Sequence, residues 1–139
     1  MDFSSSRFAC HVVDDIVIGV HTDEPPDDTD WSAWIDASRR ALDGFGIVRG
    51  LVYSMGGNPT SKQRSEINDL FRDRPQRVAV MLDSRIARGA VTALSWFNPQ
   101  IKAFDHTQFD DACMHLGIRG DQRERTRRAL EDMKAILRV

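Results

Sequence analysis

No stretch of this 139-residue chain approaches the roughly 18 consecutive apolar residues that a membrane-spanning helix needs, and no basic start gives way to an apolar segment. The expectation is a cytoplasmic protein, neither inserted in a membrane nor secreted. Cysteine is scarce. Cys10 and Cys113 lie far apart, with no CxxC pair and no metal-type spacing to His11, His21, His106 or His115. Two reduced, buried thiols are expected, ahead of a disulfide or a zinc site, and no cofactor is expected. Internal repeats, low-complexity tracts and interdomain linkers are also lacking.

Several chemical signatures are missing as well. No Gly-x4-Gly-Lys-Ser/Thr string occurs, so no phosphate-binding loop of that kind is encoded, and the nucleophile-elbow pattern of serine hydrolases is absent. The acidic stretch from Thr22 to Asp30 lacks the glycine and terminal glutamate of an EF-hand loop, so capping and solvation account for it better than calcium. No nucleic-acid reading module is present, and the balance of charge is slightly acidic, at −2. Nucleic acid is not an expected partner.

What is present fits one globular domain. The chain is 41% hydrophobic and 29% charged, at a length typical of a single core. Charge is unevenly placed. Asp14, Asp15, Asp23, Glu24, Asp27, Asp28, Asp30 and Asp36 follow one another with no Lys or Arg between, whereas seven basic residues face four acidic ones from Arg119 onward. Such asymmetry biases partner choice or head-to-tail association, although ordinary solvated faces account for it too.

After a polar, frayed start over Asp2 to Arg7, the β-branched runs Phe8 to Val13 and Ile16 to His21 read as a hairpin turning at Asp14-Asp15. A surface loop with Pro25-Pro26 follows. Trp31, Trp34, Ile35, Ser38, Ala41, Leu42 and Phe45 recur at helical steps, and Gly44 or Gly46 ends that helix. Ile47 to Ser54 is a nearly continuous apolar run, as in a strand covered on both faces. Beyond Gly56-Gly57, Thr60 and Gln63 form a capping-box pattern before a helix whose inner face carries Ile67, Leu70 and Phe71. Arg77 to Asp83 reads as a strand, Ile86 to Phe97 as a helix stopped by Asn98-Pro99, and Ile101 to Phe104 as a last strand. Thr107 with Asp110 is expected to open a helix ending at Gly117, with Phe109, Ala112, Cys113 and Leu116 inward. A final helix starts near Asp121, and its apolar half, Leu130, Met133, Ile136 and Leu137, should pack on the domain or on a second copy. This order predicts an α/β fold: a mixed, mostly parallel sheet with an N-terminal β-hairpin, covered by helices, plus an added C-terminal helix.

The order, together with Val80-Met81-Leu82-Asp83-Ser84, the segment Arg88 to Pro99, and Ile101-Lys102-Ala103-Phe104, resembles the STAS or SpoIIAA-like family of bacterial regulatory domains. It is most similar to short, stand-alone STAS/SEC14-like proteins of unassigned role. The likeness spans roughly residues 8–118. It implies a non-catalytic module for protein–protein interaction in signalling, with a kinase or other signalling protein as partner. In antagonists of anti-sigma factors, a serine or threonine at a strand-to-helix junction is phosphorylated. That junction typically reads Asp-Ser-Ser-Gly, whereas the corresponding loop here is Gly56-Gly57-Asn58-Pro59-Thr60-Ser61. Asp83-Ser84 matches the dipeptide one strand later.

The candidate interaction or switch residues are Gly56, Gly57, Asn58, Thr60, Ser61, Lys62, Asp83, Ser84, Arg85, Arg88 and Trp96. Thr60 reads as a helix cap first and a phosphosite or ligand contact second; its loop could cradle an anion with helix N-terminal amides and Lys62. Asp83-Ser84 caps a helix at the C-terminal rim of the sheet, where open α/β sheets bind ligands. Trp96 divides evenly between core and interface. The alternative function is binding of a small anionic or lipid-like ligand at the same rim, and the third is a small hydrolase. A homodimer is compatible with the apolar half of the last helix.

Overall fold

The computed structural model describes residues 2–83 and 100–139. Over these residues the chain forms strands β1 (Phe3–Ser4), β2 (Phe8–Val13) and β3 (Ile16–His21), helix α1 (Asp28–Phe45), strand β4 (Val48–Ser54), helix α2 (Ser61–Phe71), strands β5 (Gln76–Leu82) and β6 (Ile101–Asp105), and helices α3 (Phe109–Leu116) and α4 (Gly120–Leu137). The strands build one sheet in consecutive order from β1 to β6. β1, β2 and β3 are antiparallel neighbours, while β3 to β6 are parallel. The fold is α/β, as the strand and helix order predicts.

Local chemistry explains most of these elements. Asp14 turns the hairpin at φ 54°, a left-handed conformation that Asp tolerates better than most residues. Asp27 and Asp30 form a reciprocal capping box at the start of α1, and Gly46 closes that helix at φ 73°. The Thr60–Gln63 box opens α2 in the same way.

Helices cover both faces. Phe8, Cys10, Val17 and Val48 pack against Trp31, Trp34, Leu42 and Phe71 of α1 and α2. On the other face, Ile18, Val20, Leu51 and Met81 pack against Ala112, Cys113 and Leu116 of α3 and Leu130 and Met133 of α4. All six residues of β3 are buried, which is why β3 is apolar without alternation. The indole of Trp34 lies where a side chain on Gly19 would go, its Cζ3 only 2.8 Å from the place of a Cβ, so the glycine lets α1 settle close to the sheet.

Four expectations change. The start is not frayed, because Phe3 and Ser4 pair with Cys10 and Ala9, and Asp2 accepts the Val12 amide at 2.7 Å. Phe45 keeps the helical period but is 57% exposed. Thr107 does not cap α3: its amide and hydroxyl are drawn back to Asp105 Oδ1 at 3.1 and 3.2 Å, and the residue before the helix is Gln108, which makes no side-chain cap. Ile136 is 52% exposed, so only Leu130 and Met133 of the last helix's apolar half are fully buried. The expected helix from Ile86 to Phe97, with Ser84, Arg85, Arg88 and Trp96, lies outside the described residues.

Candidate functional site

The parallel register gathers the C-terminal ends of four strands on one rim. His21 pairs with Ser54, Tyr53 with Met81, and Leu82 with Asp105, so the loops after these residues are neighbours. The Gly56–Lys62 junction leaves from the end of β4.

Its backbone donors are largely used within the protein. The Met55 amide donates to the His21 carbonyl at 3.1 Å, Gly56 to Ser54 Oγ at 3.1 Å, and Gly57 to the Thr22 carbonyl at 2.9 Å. Thr60 donates to Gln63 Oε1 at 2.9 Å, and the Gln63 amide to Thr60 Oγ1 at 3.1 Å. An anion cradle needs such amides pointing outward. Here these five are turned inward and offer nothing to an anion.

Gly57 is required by a close approach. A Cβ there would stand 2.2 Å from the Glu24 carbonyl oxygen and 2.7 Å from that of Thr22. Gln63 extends the same clamp, its Nε2 donating to the Pro26 carbonyl at 3.1 Å while its own carbonyl accepts from Trp31 Nε1 at 2.7 Å. The segment after β3 and the junction after β4 are therefore held as one rigid unit. Met55, Asn58, Thr60, Ser61 and Lys62 stay exposed on it, and Asp83 is exposed at the end of β5.

A second cluster lies beneath the rim, on the α1 side. The paired positions His21 and Ser54 share that face, and Asp30 of α1 acts electrostatically on His21. All three are buried. Burial pushes the His21 imidazole down to about 4, with Asp30 pulling in the opposite direction. His21 Nδ1 and Asp30 Oδ1 have no hydrogen-bond partner among the described residues. A serine, a histidine and an aspartate thus come together, but not as a nucleophile and base: Ser54 Oγ donates to the Gly57 carbonyl at 3.2 Å. Asp30 is held instead by Arg7, whose Nε lies 3.4 Å from Oδ2, and Arg7 also bonds Asp27.

A third group ties the loop after β6 to the rim. His106 Nε2 lies 2.8 Å from the Ser54 carbonyl, which can only accept, so that nitrogen carries the proton. The His106 ring stacks on Tyr53 at 4.3 Å, and Lys134 Nζ sits 4.7 Å from the Tyr53 centroid. Strand alternation puts His21 and Ser54 on one face, a signal readable in advance. Nothing local announces Asp30 near His21, His106 at Ser54 or Lys134 over Tyr53.

The acidic run is less free than its composition suggests. Asp14 meets Arg125 at 3.0 Å, Asp15 meets Arg49 at 2.7 Å, and Asp27 and Asp30 share Arg7. Among the described residues no group of three or more His, Cys, Asp or Glu could hold a metal ion, and no helix is long and apolar enough to cross a membrane.

No family model, curated protein or solved structure matches this chain.

Proposed function

We propose that the chain is a non-catalytic, SpoIIAA-like interaction module that docks a protein partner on the strip from Met55 to Lys62. The observation that supports this reading is an exposed strip on a rigid base. Met55 is 41% exposed beside the open side chains of Asn58, Thr60, Ser61 and Lys62, while Gly57 and Gln63 pin the backbone below them. A preordered strip with one apolar side chain and a cation loses little entropy on docking.

The consecutive strand order favours a protein over a small ligand. Open α/β sheets form their ligand crevice where strand order reverses. The described strands do not reverse.

Phosphorylation remains part of the proposal, with Ser61 better suited than Thr60. Thr60 Oγ1 already accepts the Gln63 amide, so a phosphate there would disturb the cap, whereas exposed Ser61 occupies the first position of α2. Added negative charge at a helix N-terminus is favoured by the helix dipole. A pull-down from the native host should recover a partner that Met55→Asp and Lys62→Glu both lose, with unchanged circular dichroism. Equal recovery by all three proteins would remove this surface. Intact-mass analysis after incubation with host kinase should map any shift to Ser61 before Thr60 or Ser84.

A further inference from the structure

Two patches at opposite ends of the parallel sheet differ in charge. Beyond the C-terminal end of β3, Asp23, Glu24, Pro25 and Asp28 are exposed, and the three carboxylates have no side-chain partner among the described residues. At the opposite end, where β4 and β5 begin, an open groove of about 440 Å³ has an apolar wall of Ile47, Phe71 and Pro75 and two cations, Arg74 and Arg77. Among the described residues no carboxylate lines it. Arg77 Nη1 donates to the His115 carbonyl at 3.1 Å, while the Arg74 side chain has no partner among the described residues. Asp73, next to Arg74 in sequence, is exposed but does not line the groove.

The 22–28 segment matches this groove in charge and carries an apolar residue for its apolar wall. Pro25 offers a rigid apolar surface between carboxylates. The segment is also prebuilt, because the Gly57 amide bonds the Thr22 carbonyl at 2.9 Å and Gln63 holds the Pro26 carbonyl at 3.1 Å. Little further ordering is needed to present it.

We propose that the groove at Arg74 and Arg77 receives the 22–28 segment of a second copy of this chain, head to tail. The two surfaces differ and lie at opposite ends of parallel strands, so the contact is heterologous and propagates as an open chain rather than closing into a two-fold dimer. Its ion pairs are exposed, which makes the association weak and sensitive to salt. A copy seated on the 22–28 segment lies beside the Met55–Lys62 strip, so self-association competes with the partner binding proposed above. The self-association itself does not depend on that reading.

Sedimentation velocity of the full chain tests this. At low salt the wild-type weight-average sedimentation coefficient should rise with concentration, and in about 0.5 M salt, where the Debye length is only about 4 Å, it should fall back to the monomer value. Arg74→Glu and Glu24→Lys, both at exposed positions, should each be monomeric with an unchanged circular dichroism spectrum. Mixing the two variants should restore association, because the acidic segment of the first meets the unaltered groove of the second. A wild type that stays monomeric at low salt, or association that survives either variant, would overturn the proposal. So would a mixture that remains monomeric. A two-fold dimer through the groove alone would respond to Arg74→Glu and ignore Glu24→Lys, which also refutes it.

Discussion

Arg49 holds Asp15 at two points, Nε to Oδ2 at 2.8 Å and Nη2 to Oδ1 at 2.7 Å. The same guanidinium donates to the carbonyls of Leu116 at 3.3 Å and Gly117 at 3.2 Å, and to Gln122 Oε1 at 2.9 Å. One side chain therefore joins the hairpin turn, β4, the end of α3 and the start of α4. Both partners are largely shielded, with side-chain exposures of 16% and 11%.

Removing Arg49 should cost more than removing the pair. Arg49→Met leaves the shielded Asp15 carboxylate without its guanidinium and removes three further bonds, of which the one to Gly117 is open to water, a loss of about 3 kcal/mol by urea denaturation. Adding Asp15→Leu should recover part of that, and the double-mutant cycle measures how much. A cycle with no coupling would mean that the bonds to the carbonyls and Gln122 carry the whole effect.

Two glycines make opposite predictions. Gly57→Ala drives a methyl into backbone oxygens of Thr22 and Glu24 and should cost about 2–3 kcal/mol as the two loops move apart. Gly44 lies within α1 with no atom within 4 Å of a built Cβ. Gly44→Ala should therefore stabilise by about 0.5–1 kcal/mol, because alanine is the better helix former. Thermal denaturation of the two variants checks both signs.

Stability should fall as pH drops through the His21 window. The folded imidazole is held near 4, below its ordinary value of 6.5, so the unfolded chain binds the extra proton between those limits. The contribution is fully present above about 6.5 and is lost progressively down to about 4, at most about 3 kcal/mol in total. His21→Gln, which does not titrate, should flatten this part of the stability–pH curve. An unchanged slope would assign the acid sensitivity to other groups.

Both thiols should be slow to react. Burial raises Cys10 to about 12 and Cys113 to about 11, and both side chains have no exposed surface. A thiol-selective disulfide reagent should label neither at neutral pH within the time needed to modify both in denaturant. Fast labelling of the native protein would show that one face of the sheet opens readily.

Much of the fold is legible in the chain because its signals are local. The hairpin needs only two β-branched runs around Asp14-Asp15, and the α2 start needs only Thr60 and Gln63 at the right spacing. Gly46 and Gly117 end their helices in left-handed conformations that favour glycine. Thr107 misleads for a similarly local reason: Asp105 offers its hydroxyl and amide a nearer acceptor than a helix cap. β1 leaves almost no sequence signature, since two residues are too few to establish a period and their order comes from β2.

The candidate site is legible as a place but not as a set of contacts. Strand periodicity puts the Met55–Lys62 junction at the C-terminal rim. The Gly56, Thr60 and Gln63 amides turn inward on local acceptors, but those of Met55 and Gly57 depend on the carbonyls of His21 and Thr22, at the end of β3 and in the loop after it. The charge asymmetry behaves likewise. Composition predicts an acidic stretch, but the fold decides that Asp14, Asp15, Asp27 and Asp30 are paired while Asp23, Glu24 and Asp28 stay open.

By itself, the sequence determined the alternation of strands and helices and most of their ends, because periodicity, capping and turn chemistry act within a few residues. Only the tertiary structure decided which polar groups are used up and which remain exposed. That depends on partners brought together from distant positions, as Arg49 and Asp15 are across 34 residues.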